Sequence, residues 1–163
     1  MNSLQKSEEL GDTGFSPEAC ISLALISLDR KDLDLAAKYI NRGLEIVKSD
    51  DYWSSVRVYY TLGEVLLAQS HFKEAGEWIE KAYNSATKKG GKLTKAYAQY
   101  SFSRYLYIAE KDEAALSIIN MCKQNLSDIG SRLMFDKAEN LESGILSAMQ
   151  EKNTERKKFP RGN

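Results

Sequence analysis

One histidine and two cysteines are all that the chain offers for nucleophilic or metal chemistry. His71 stands beside Phe72, where a turn between two apolar runs is expected. A Ser-His-Asp or Cys-His arrangement would have to use it, and neither Cys20 nor Cys122 is expected near it. With one His and no CxxC, the usual zinc sets are out of reach. The cysteines read as small core residues rather than as a disulfide or a metal site. Gly90-Gly91 is followed by Lys-Leu-Thr, without the spacing of a phosphate-binding loop. No catalytic residue, metal or cofactor is expected, and the chain reads as a non-enzyme. What it does offer is recognition chemistry. Tyr97, Tyr100, Arg104 and Tyr107 fall at i, i+3, i+7 and i+10, on one face of a helix. Tyr and Arg are favoured binding anchors because each offers a large area and a polar handle. The alternative is that this stripe packs against the segment before it.

Bulk properties narrow the partners. Lys plus Arg equals Asp plus Glu, 23 each in 163 residues, so no net field attracts nucleic acid or a membrane. Lys88, Lys89, Lys92 and Lys95 form a basic segment without acids, read as a solvated turn. No apolar run approaches the length of a membrane helix, and the polar start of the chain is no secretory signal. A cytoplasmic location is expected. A single domain of this length can bury about 70% of its unfolded surface.

The elements that must position these residues are helices, since only two prolines interrupt long apolar periods. Ser16 as N-cap and Pro17 at the first helical position open a helix to about Asp29. A second runs from near Asp32 to near Lys48. Leu33, Ala36, Ile40 and Leu44 recur 39 residues on as Phe72, Ala75, Ile79 and Tyr83, and Leu23-Ala24 recurs as Leu62-Gly63. Such a period marks a stack of hairpins. Gly63 and Ala75 sit where two paired helices approach closely. In the third hairpin, a shift of 40 suits the first helix, with Phe102-Ser103 under Leu62-Gly63. A shift of 39 suits the second, with Ala114 under Ala75 and Ile118 under Ile79, which implies a turn one residue shorter. Its inner face would be Ala114, Ile118, Met121 and Cys122. A last helix, Ser131 to about Gln150, carries Met134, Ala138, Leu141, Ile145 and Met149 on one side and reads as a cap. The expected division is a flexible leader over 1–14, a helical domain over 15–150, and a disordered charged tail over 151–163.

The central hairpin resembles the tetratricopeptide repeat. Tyr59, Leu62, Gly63, Leu66, Phe72, Ala75 and Ala82 match its pattern, while Ile79 and Thr87 depart from it. The resemblance implies an all-α, right-handed α-solenoid of three helical hairpins plus a C-terminal capping helix. Because the period exceeds the usual 34 residues, the chain is more similar to bacterial regulators of the Rap and MalT kind. The family binds peptides in a concave groove lined by the first helix of each hairpin. Carried over, the groove positions are Glu18, Ile21, Leu25 and Leu28, then Arg57, Tyr60, Glu64 and Leu67, then Tyr97, Tyr100, Arg104 and Tyr107. The family's clamp for a C-terminal carboxylate is absent, since its positions read Ile21, Leu25, Thr61, Tyr97 and Ser101. The resemblance therefore implies an interaction module for a protein or peptide partner, with self-association as a further option. The alternative is the sensor or oligomerisation region of a bacterial regulator whose effector domain lies outside this chain.

Overall fold

A computed structural model of the protein describes residues 15–48 and 50–158. The expected leader, 1–14, lies outside the described residues. Seven helices follow one another with no strand among those residues: α1 (Pro17–Asp29), α2 (Leu33–Ile46), α3 (Tyr52–Ala68), α4 (Phe72–Lys89), α5 (Lys92–Ile108), α6 (Asp112–Asp128) and α7 (Arg132–Lys158). Oxygen-bearing side chains start the first three. Ser16, Asp32 and Asp51 accept hydrogen bonds from the amides of Ala19, Leu35 and Ser54, at 3.2, 3.1 and 3.1 Å. Each satisfies an amide that has no partner inside its helix. α1 pairs with α2, α3 with α4, and α5 with α6, while α7 packs mainly on α6. The result is an all-α helical repeat solenoid.

One turn closes every pair. Lys31, Ser70 and Glu110 adopt the left-handed conformation, with φ of 61°, 65° and 58°. In each turn the next residue's amide reaches back to a carbonyl five positions earlier: Asp32 to Ser27, His71 to Leu66, and Lys111 to Leu106, all at 2.9 Å. Gly130, with φ of 69°, makes the same turn before α7. The left-handed residues stand 39 and then 40 positions apart, so the turn is the same length in the second and third hairpins.

That corrects the register expected for α6. Its buried apolar residues are Ala115, Ile119, Cys122 and Leu126, each 40 positions after Ala75, Ile79, Ala82 and Ala86. Ala114 and Met121 are exposed and Ile118 is only half-buried. The extra residue lies between hairpins, not in a turn. α4 has 18 residues against 14 in α2, and the following link shortens to Gly90-Gly91. The chain trades a loop for one more helical turn.

The last helix also departs from expectation. It continues past Gln150 to Lys158, so residues 151–158 are helical and only 159–163 lie outside the described residues. Between Gly144 and Pro160 no residue stops a helix, and Gln, Glu, Lys and Arg are good helix formers. Lys152 Nζ donates to the buried carboxylate of Asp112 at 2.7 Å, which fastens the extension to the start of α6.

Within a hairpin, spacing depends on one small residue per first helix. A Cβ built on Gly63 would lie 2.2 Å from Ile79 Cγ1 and 3.3 Å from the Ala75 carbonyl oxygen. Ala24 and Ser103 hold the equivalent places, and Ser103 Oγ donates to the Ala115 carbonyl at 2.8 Å. Alanine favours a helix over glycine by about 1 kcal/mol, yet Gly63→Ala is expected to lower the melting temperature, with overpacking costing about 1–3 kcal/mol. Ile79→Ala removes the clashing atoms, so the pair should cost less than the sum of the single changes in a double-mutant cycle. Additive costs would refute this register.

Candidate functional site

First helices touch first helices: α1 packs on α3, α3 on α5, and α5 reaches α7. Second helices make no such contacts with one another, so the first-helix side is the inner side of the stack. The eight groove residues expected on the second and third hairpins lie on α3 and α5, but their exposure differs. Leu67 is buried in the core around Ile79, because the α3 face that carries it turns toward neighbouring hairpins. Tyr60 is only 9% exposed and stacks on Tyr97, with ring centroids 6.1 Å apart and planes 7° from parallel. Arg57, Tyr97, Tyr100, Arg104 and Tyr107 remain partly exposed. In the first hairpin, Ile21 is buried and Leu25 is exposed. The stripe on α5 is divided in its packing. Tyr97 packs back onto α3, while Tyr100 and Tyr107 flank the third hairpin's core.

The electrostatics centre on Glu64. Its side chain is 12% exposed and ion-paired to Arg104, whose side chain is 42% exposed. The other carboxylate oxygen, Oε1, is buried without a hydrogen-bond partner among the described residues. Burial raises the Glu64 pKa, and the Arg104 charge opposes that rise. Burial likewise raises the hydroxyls of Tyr60, opposed by Arg57, and of Tyr100, opposed by Arg104. Arg57 also lies over the Trp53 ring, 5.8 Å from its centroid.

The inner side continues beyond the expected residues. Lys137, Asn140 and Leu141 of α7 face Tyr100, Arg104, Tyr107 and Ile108 of α5 across an open cleft of about 520 Å³. Tyr107 Oη donates to the Gly144 carbonyl at 3.3 Å, at one side of this cleft. The signal was in the sequence: Lys137 and Asn140 stand 40 positions after Tyr97 and Tyr100. Reading the last helix only as a cap hid it.

The groups that could do other chemistry are placed apart. His71 is exposed before α4, without a capping hydrogen bond from its side chain. Cys20 and Cys122 are free and buried. Cys122 Sγ donates to the Ala96 carbonyl at 3.2 Å, and burial pushes its pKa up to about 12, far from a reactive thiolate. Among the described residues, no cluster of three His, Cys, Asp or Glu could hold a metal ion. No helix there is long and apolar enough to cross a membrane. In the basic segment, Lys92 is paired with Asp128 at 2.6 Å.

Paired antiparallel helices with small residues at their contacts, stacked so that first helices share one side, define a TPR-like helical repeat protein. Residues 56–88 match the family described as tetratricopeptide repeat. Among solved structures, the chain is similar to the apo form of RapI, with a TM-score of 0.75 and 14% identity over 93% of this chain and 56% of that one. It is also similar to a TPR-like protein from Chlorobium tepidum TLS, with a TM-score of 0.61 and 18% identity over 80% of this chain and 94% of that one. At these identities the likeness is one of fold, and the chain spans little more than half of the RapI chain. No curated protein matches significantly by sequence. Solenoids of this kind present extended concave surfaces for protein–protein interaction.

Glu64 gives the inner side a pH dependence of known sign. Its pKa is raised above the ordinary value of 4.5. The folded chain therefore binds more protons at this site than the unfolded chain between those two pKa values. As pH falls through that window, this group's contribution to stability improves. In urea melts, the difference between wild type and Glu64→Gln is expected to move in favour of wild type on acidification from neutral pH toward 4.5. A constant difference, or one moving the other way, would refute the burial of an ionised Glu64.

Proposed function

We propose that the protein is a non-enzymatic interaction module that holds a peptide or partner helix on its inner side. Arg57, Tyr97, Tyr100, Arg104 and Tyr107 are the contacting side chains, and Tyr60, Glu64 and Leu67 form the layer that supports them. The observation that carries this reading is the preorganisation of the partly exposed anchors. Tyr97 is stacked on buried Tyr60, and Arg104 is ion-paired to buried Glu64. Side chains already held in place lose little rotamer freedom on binding. Anchors of these two residue types carry most of the energy in many interfaces.

A second reading has its own support. The likeness to RapI covers 93% of this chain but 56% of that one. That favours a role as the sensing or self-associating part of a larger regulator, in which the same surface would meet another part of the assembly.

The test uses the protein as bait in extracts of its host, with Tyr100→Ala and the outer-face variant Glu80→Ala beside wild type. Tyr100→Ala is expected to cost about 2 kcal/mol or more of partner affinity. Tyr100 is half-buried, so its stability loss should stay below the ~3–5 kcal/mol of a fully buried aromatic truncation. Glu80→Ala should keep both. Unchanged capture by a folded Tyr100→Ala protein would refute the inner-side assignment. So would severe unfolding of that variant, which would make Tyr100 a core residue.

A further inference from the structure

Equivalent positions on neighbouring first helices recur every 40 residues from α3 onward. Tyr60, Tyr100 and Asn140 form one row, and Glu64, Arg104 and Gly144 the next. Between α3 and α5 the second row is closed by the Glu64–Arg104 pair. Between α5 and α7 Gly144 contributes no side chain to that row. The cleft of about 520 Å³ lies beside it, lined on α7 by Lys137, Asn140 and Leu141.

Packing does not require this glycine. A Cβ at Gly144 would have Tyr107 Oη as its nearest neighbour, at 3.9 Å, an ordinary contact. At Gly63 and Gly76 the same atom would meet side chains at 2.2 and 2.3 Å. Glycine is unfavourable inside a helix, and at position 144 no close contact offsets that. Its effect is to leave the hydroxyl of Tyr107, a residue that lines the cleft, without a side chain beside it at position 144.

The lining has a definite chemistry. Lys137 brings positive charge, Arg104 is ion-paired to Glu64 behind it, and no carboxylate is among the lining residues. Among the described residues, Lys137 makes no ion pair. Asn140 is exposed, and Ile108 is 42% exposed at the rim. The geometry points to an acidic peptide segment of a partner protein as the occupant. A carboxylate sits against Lys137 and Asn140, beside Arg104, in charge-assisted hydrogen bonds. The neighbouring apolar side chain lies on Tyr100 and Leu141. This rests on the peptide-binding reading of the inner side and narrows it to one end of that side and one sign of charge.

The probes are short fluorescein-labelled peptides with leucine at alternate positions and glutamate, glutamine or lysine between them. They are titrated into the full chain by fluorescence anisotropy. The glutamate peptide is expected to bind, more weakly as salt rises. The glutamine peptide should bind at least about tenfold more weakly, and the lysine peptide not at all. Lys137→Glu should cost the glutamate peptide about tenfold or more and leave the melting temperature unchanged. Gly144→Leu should block the same peptide while melting no lower than wild type, whereas Gly144→Ala should keep binding. If Gly144→Leu fails to fold, Lys137→Glu carries the test alone. Equal binding of the three peptides, binding of none, or indifference to Lys137→Glu would overturn the proposal. Preference for a single-stranded oligonucleotide over the glutamate peptide would overturn it too. Should Tyr100→Ala lose the native partner while Lys137→Glu keeps it, the inner-side reading stands and the acidic-cleft assignment falls.

Discussion

The close approach of two helix backbones at Gly63 is the constraint on which the rest depends. Ile79 fills the space a side chain would take, and the Ala75 carbonyl lies just beyond. This contact fixes the distance between the helices of the central hairpin, and Ala24 and Ser103 permit the same approach in its neighbours. Once the pair distance is set, Ile40, Ile79 and Ile119 become the fully buried centres of successive units. The repeated left-handed turn then hands the chain from the first helix of each hairpin to the second. Three of those turn residues are Lys, Ser and Glu, which tolerate that conformation less readily than glycine. Tertiary packing on both sides holds them there.

A stack built on the first helices has an inner side whose character changes along its length. Between the first two hairpins, the Glu18 carboxylate accepts a hydrogen bond from Ser54. Between the second and third, a stacked tyrosine pair and a half-buried ion pair fill the seam. Between the third hairpin and α7 the seam opens. Burying a carboxylate is costly even when it is paired, so Glu64 is a poor choice for stability alone. It does orient Arg104, and it leaves that side chain partly in water.

Fold and site were not equally legible. The central hairpin could be read because its small and large residues alternate at positions that allow only one register: Gly63 against Ile79, Ala75 beneath them. The third hairpin was harder because Ala114 and Ala115, and Ile118 and Ile119, offer two adjacent registers of equal hydrophobicity. Only the turn, set by Glu110, and the lengthened α4 decide between them. The helical extension to Lys158 was hidden because a charged segment looks alike whether it is solvated coil or a helix tied down by one ion pair to Asp112. The eight inner-side residues were placed on the correct helices. Spacing cannot say how deeply a neighbouring hairpin buries them, as Tyr60 and Leu67 illustrate. Asn140 carries no aromatic or charged signature, so its place at the cleft between α5 and α7 could not be read from its type.

The unbroken length of α7 has a mechanical consequence. Each earlier first helix stops at its turn, but this one runs through that position, so Lys137 at the cleft and Lys152 at the Asp112 latch belong to a single rod. At about 1.5 Å per residue they stand roughly 22 Å apart along its axis. The cleft wall and the latch are therefore parts of one unbroken element, with no turn between them to separate their positions.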